Sequence, residues 1–177
     1  MIMTKRLTLT PGTIADLPAL AEIDDECGKY FGFDPPSEEN HDCPLEECLT
    51  TGDIPSGVAK EDYKRENYFL YCIWQNDALI GFLSYYLEYL QEDTAYLSVL
   101  YIKEACRSGG LGAEIVEALA QRLAAAGFKT IKTHCSLRNA LALRFWVKNG
   151  FDRITEVECT GNLYPGQFGG LGLMKSI

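Results

Sequence analysis

The residues best placed to do chemistry lie in the run Arg107-Ser108-Gly109-Gly110-Leu111-Gly112. Glycine at 109, 110 and 112 leaves much of the main chain bare, and Arg107 carries a permanent charge on a planar fork of donors. Leu111, Ile115, Ala118, Leu119 and Leu123 then recur at the spacing of one helical face, and Gly127 stands where such a helix would stop. The first N–H groups of a helix have no partner within it, and the helix dipole makes that end favourable for anions. The glycines remove the Cβ atoms that would hold a diphosphate off these donors, so the run reads as a phosphate seat. An ordinary strand-to-helix turn, with glycine only relieving sterics, would show the same residues. The neighbouring elements have to discriminate.

Residues 95–102, which precede the seat, are apolar, aromatic and β-branched without a breaker, as expected of a central strand packed on both faces. Upstream, residues 68–75 and 78–86 read as two strands joined by Asn76-Asp77, a two-residue hairpin signal. Three antiparallel strands therefore feed the glycine turn. At the start of the chain, residues 7–10 alternate as a short strand, Pro11-Gly12 turns, and Asp16 is placed to cap a helix carrying Leu17, Leu20, Ala21, Ile23 and Cys27. Beyond Gly127, residues 130–135 form another strand, and Asn139 caps a helix over 140–149 that ends at Gly150-Phe151. Residues 154–159 and 171–176 read as closing strands around a loop holding Tyr164 and Phe168, which either edge a binding site or pack the loop.

There is no G-x-x-x-x-G-K-[ST], and the glycine spacing does not match G-x-G-x-x-G. The segment resembles instead the acetyl-CoA motif of the GNAT superfamily of N-acetyltransferases, [RQ]-x-x-G-x-[GA], with Arg107 five residues after Ile102. A second motif of that family, N-x-x-A-x-x-[LF]-[YW]-x-x-x-G-F, is matched in register by Asn139, Ala142, Phe145, Trp146, Gly150 and Phe151.

The resemblance implies one α/β domain over residues 1–177, with a mixed, mostly antiparallel sheet splayed into a V and flanked by helices. It implies acetyl-CoA as co-substrate, with Leu100, Tyr101, Ile102, Arg107, Ser108, Gly109, Gly110, Leu111, Gly112, Asn139 and Trp146 at the cofactor. A backbone N–H near the end of the central strand, around residues 100–102, would polarise the thioester carbonyl and stabilise the developing oxyanion. Where the family often has a proton-donating tyrosine, this chain has Trp146, a donor but not a proton source at neutral pH. Tyr96, His134 and Trp146 are the candidate catalytic side chains, with Tyr101, water and Glu88 as further sources or acceptors of protons. Glu104 and Glu114 read as solvated charges.

Composition narrows the class. A net charge of −9 and a pI near 4.7 disfavour nucleic acid as a partner and suit a cationic amine acceptor. The start of the chain has too short an apolar run for a signal peptide, no stretch is long enough to span a membrane, and seven scattered cysteines suggest reduced thiols, all pointing to the cytoplasm. His41, Cys43 and Cys48 form an incomplete zinc set, so no metal is expected. The helix over 140–149 is apolar around much of its circumference, which predicts cover by a second subunit in a homodimer, or by the cofactor and the closing strands.

The resemblance, with these features, implies an acyl-CoA N-acyltransferase moving acetyl from acetyl-CoA to a small-molecule or peptide amine. A non-catalytic acyl-CoA-binding module of the same fold is the alternative, motivated by Trp146. A nucleotide-binding protein is disfavoured by the lack of a phosphate-binding lysine at the turn.

Overall fold

The structure, a computed structural model, describes residues 1–31, 44–159 and 169–177. The elements in chain order are β1 (Ile2–Met3), β2 (Thr8–Pro11), α1 (Leu17–Phe31), α2 (Leu45–Thr50), β3 (Tyr68–Gln75), β4 (Ala78–Tyr86) and β5 (Thr94–Ile102). They continue with α3 (Leu111–Ala125), β6 (Thr130–Ser136), α4 (Ala140–Lys148), β7 (Arg153–Cys159) and β8 (Gly169–Ser176). One eight-stranded sheet results, in the order β1-β2-β3-β4-β5-β6-β8-β7. Only β5 and β6 pair in parallel, as a crossover through α3 requires. The expected mixed α/β sheet flanked by helices is what forms.

The hairpin signal holds: Asn76 and Asp77 take φ of 47° and 66°, the left-handed pair that a two-residue turn needs. At the first helix the capping differs from expectation. Thr13 precedes a single 3-10 turn, and Asp16 lies three residues on, its carboxylate accepting from the Thr13 N–H at 2.8 Å and the Thr13 hydroxyl at 2.7 Å. Asp16 thus serves as the acidic partner of the cap rather than as the cap itself.

Two apolar layers cover the sheet. Ala95, Leu97 and Ile102 pack with Leu111, Ile115 and Leu119 of α3 on one face, whereas Tyr101 joins Leu20, Ile23 and Cys27 of α1 on the other. Leu97 and Tyr101 would share a face on a regular strand, because side chains alternate with period two. A bulge separates them. Ser84 pairs with Val99 but Tyr85 pairs with Leu97, so Ser98 is an extra residue and the alternation inverts there.

The closing strands could not be ordered from sequence. β8 lies between β6 and β7, leaving β7 as an edge strand with Ile154 and Val157 exposed. No helix among the described residues is long and apolar enough to cross a membrane. None of the six described cysteines forms a disulfide, and the described residues hold no cluster of metal-ligating side chains. His41 and Cys43, like Tyr164 and Phe168, lie outside the described residues.

Candidate active site

The site begins where β5 and β6 part. They pair only from Thr94↔Thr130 to Tyr96↔Lys132, after which the Thr133 hydroxyl donates to the Leu97 carbonyl oxygen at 2.9 Å. A buried side chain thus replaces the next ladder bond as β6 turns away. Beyond that apex the strands enclose one side of a cleft of about 910 Å³.

The bulge decides which main-chain groups face this opening. The Lys103 N–H donates to the Ile80 carbonyl at 2.8 Å, which fixes the phase of the β4–β5 ladder. Alternation then turns the backbone of Val99 and Tyr101 toward β4 and that of Leu100 and Ile102 toward the opening. The Ile102 carbonyl meets Arg107, whose Nε donates to it at 2.7 Å while the guanidinium lies 4.8 Å from the Tyr101 ring centroid. Arg107 was expected as a charge forking onto phosphate. It also fastens the end of β5.

The glycine turn delivers α3 as the sequence indicates, but its glycines serve different ends. Gly110 has φ +77°, a conformation that suits residues without a Cβ, and Ser108 shares that left-handed region at 75°. A Cβ on Gly112 would come within 2.9 Å of Phe145 Cε2, so Gly112 is required for contact with α4 rather than for ligand approach. At Gly109 and Gly110 a Cβ would meet only the Arg6 guanidinium, no closer than 3.7 Å. No side chain caps α3, leaving its first N–H groups directed outward. Ser108, Gly110, Leu111 and Gly112 line the cleft, although Gly109 does not.

The second junction also forms. Asn139 Oδ1 accepts from the Ala142 N–H at 3.0 Å, and Gly150, at φ +87°, ends α4 before the fully buried Phe151. Asn139 and Trp146 both line the cleft. Trp146 is buried, its ring edge-on to Phe145 at 4.9 Å and Phe151 at 5.0 Å.

Tyr96 and His134 also line the cleft. Burial pushes the Tyr96 phenol well above its ordinary range, and its ring stacks on Tyr89 at 4.5 Å. Tyr101 is likewise raised, first by burial and then by its hydrogen bond to Glu26 Oε1 at 2.9 Å. Neither phenol is a ready base. His134 Nε2 lies 3.3 Å from Glu158 Oε2, reached across β8 where Gly172, opposite His134, has no side chain to intervene. Glu88 is not among the lining residues. It is paired with Lys64 at 2.8 Å, which with Asn67 holds its carboxyl below the usual range. Glu114, expected as a solvated helix charge, is instead mostly covered and paired with Arg6 at 2.7 Å.

Residues the motifs did not reveal also line the wall, among them Cys27, Ser98, Thr133, Leu141, Arg144 and Lys148. Arg144 and Lys148 carry the one signal that was available, two cations four residues apart beside the second motif.

The site is therefore a strand edge with open main-chain groups, leading from an apex to an uncapped helix N-terminus. The sequence matches the acetyltransferase (GNAT) family over residues 21–151. This chain belongs to that family. It is a GNAT acyl-CoA N-acyltransferase, with acetyl-CoA as co-substrate.

No curated protein matches the GNAT chain. Among solved structures it is similar to an acetyltransferase from Thermus thermophilus, with 20% identity, all of both chains covered and a TM-score of 0.66. An acetyltransferase from Salmonella typhimurium that modifies the N-terminal serine of a ribosomal protein gives 16% identity, coverage of 98% and 96%, and a TM-score of 0.71. An N-acetyltransferase from Thermoplasma acidophilum in complex with coenzyme A gives 21%, 97% and 99%, and 0.60. At these identities the likeness concerns the fold. The donors and bare glycines of the cleft suit a coenzyme carrying a diphosphate.

Proposed function

We propose that this protein, as one domain over residues 1–177, acetylates a primary amine by direct attack within a ternary complex. The observation that carries the reading is the turned main chain of Leu100 and Ile102, open toward a cleft that ends at the α3 N-terminus. Acetyl-CoA supplies an activated acyl group on a thiol leaving group.

The N–H groups at the start of α3 hold the diphosphate, and those of Leu100 and Ile102 are aimed where carbonyl charge develops. The amine nitrogen forms the new C–N bond as the C–S bond breaks, the electron pair leaves on the thiolate, and the proton then shed by the acylated nitrogen passes through solvent to that thiolate. The ammonium must lose a proton for the attack. His134 is the group we assign to accept it, directly or through water, with the Glu158 carboxylate beside the ring. Tyr96 shapes the acceptor side. Trp146 acts as a packed wall, so the thiolate leaves without a tyrosine proton donor, as its ordinary basicity permits.

The acceptor is a small-molecule or peptide amine. Structural neighbours include an acetyltransferase that modifies the N-terminal serine of one ribosomal protein and an alanine N-acetyltransferase of another, so the fold by itself does not select one acceptor. The acidic chain favours a cationic acceptor in the cytoplasm. The exposed Ile154 and Val157 on edge strand β7 support a homodimer, which a monomeric mass by light scattering would rule out.

Calorimetric titration with acetyl-CoA, with CoA and ATP as controls, tests the site, and thiol release with an amine panel tests transfer. Selective coenzyme binding with amine-dependent thiol release is expected. Coenzyme binding with no release for any amine would favour the non-catalytic module, the reading that the packed Trp146 supports.

A further inference from the structure

The chain holds 25 Asp and Glu against 16 Lys and Arg, yet among the described residues no carboxylate lines the cleft, whereas Arg107, Arg144 and Lys148 do. An acidic protein has concentrated positive charge where a polyanionic coenzyme would lie. Arg107 is fastened to the Ile102 carbonyl, as described above. Arg144 and Lys148 differ. Four residues apart on α4, they share one face, and both are exposed. No salt bridge to either is found among the described residues.

Leu141, three residues before Arg144, lies on the same stripe, lines the same cleft and is 74% exposed. An apolar side chain followed by two cations presents a surface for a heterocyclic base and a phosphate. The coenzyme carries two phosphate groups of different chemistry, a diphosphate and a monophosphate on the ribose. The α3 N-terminus suits the first. It leaves the second to be met by side chains.

We propose that Arg144 and Lys148 form the subsite for the ribose phosphate of the coenzyme, with Leu141 against the adenine. This rests on the reading of the cleft as the acetyl-CoA site. It makes α4 the element that separates CoA from dephospho-CoA, and it accounts for the exposure of Leu141 without a second subunit.

The test is calorimetric titration of the full chain with CoA and with dephospho-CoA. The parent protein should prefer CoA by at least about tenfold, equivalent to ~1.4 kcal/mol. Arg144→Gln with Lys148→Gln should bind the two coenzymes equally, with dephospho-CoA affinity unchanged from the parent. Each single variant should lose part of the preference, and their exposed positions leave folding intact by circular dichroism. The proposal is overturned if the double variant keeps the preference, if it loses affinity for both coenzymes alike, or if the parent never shows a preference. A parent that binds neither coenzyme would overturn the acetyl-CoA site itself, a distinguishable result.

Discussion

Arg6 donates from Nη1 to the carbonyl oxygen of Gly109 at 2.7 Å, joining the β1–β2 turn to the glycine turn more than a hundred residues later. Its Nε and its backbone N–H both meet the Glu114 carboxylate, at 2.7 and 2.8 Å, and the Thr4 hydroxyl donates to the same group. Glu114 lies in the first turn of α3, where negative charge is favourable to the helix but unfavourable to a bound diphosphate. Arg6 neutralises that charge and holds the turn. Arg6→Ala should weaken acetyl-CoA binding by roughly tenfold while kcat at saturation stays near the parent value, with partial recovery in Arg6→Lys. Adding Glu114→Gln to Arg6→Ala should also recover affinity. Calorimetry beside saturation kinetics decides it, and equal losses in kcat would refute the assignment.

The same carboxylate gives a pH dependence. Its hydrogen bond from Thr4, followed by those from Arg6, holds the Glu114 carboxyl below its ordinary range. A group depressed in the folded state contributes stability above its unfolded pKa, near 4.3, and loses it as pH falls through the lower folded value. Denaturant midpoints measured from neutral pH down through the carboxylate range should therefore fall less steeply for Glu114→Gln than for the parent. Parallel curves would mean that the pairing is not linked to folding.

At the apex of the V, Thr133 is the side chain that completes the ladder for Leu97. Thr133→Val keeps the shape but leaves a buried carbonyl without its donor, which costs about 1–3 kcal/mol. Chemical denaturation should show this loss. A neutral result would mean that the carbonyl finds another partner.

Gly112 and Gly109 make a contrasting pair. Gly112→Val should destabilise the protein by about 1–3 kcal/mol because its Cβ meets the Phe145 ring, and Phe145→Ala should relieve part of the clash. In Gly109→Ala the new Cβ would meet only the Arg6 guanidinium, at 3.7 Å and so without a clash, and the substitution should change the melting temperature little. If both substitutions proved equally harmless, the α3–α4 contact would not be the reason for Gly112.

His134 and Glu88 separate proton transfer from simple charge. His134→Gln should lower kcat by roughly a hundredfold with little effect on the acetyl-CoA Kd. Glu88→Gln, in a carboxylate held by Lys64 outside the cleft lining, should leave kcat unchanged. Steady-state kinetics over a pH series would reverse these roles if Glu88→Gln alone removed the acidic limb, where protonation of the base lowers the rate.

The local chemistry of the chain was legible in its residues. Periodicity, glycine position and capping side chains act over a few residues, so β3, β4, α3 and α4 and the turns at Asn76-Asp77, Gly127 and Gly150 follow from sequence alone. The uncapped N-terminus of α3 after the glycine turn follows too, since such a junction is a local object. What the tertiary structure decided depends on partners distant in sequence. The Ser98 bulge exists because β5 is matched against β4, and together with the Lys103–Ile80 pairing it sets which main-chain groups face the cleft. Gly112 answers to Phe145, Glu114 to Arg6 and Glu88 to Lys64, contacts that no spacing rule encodes. The insertion of β8 between β6 and β7 is of the same kind, because hydrogen-bonded strand edges accept any partner with the right length and pleat, and packing chooses among them.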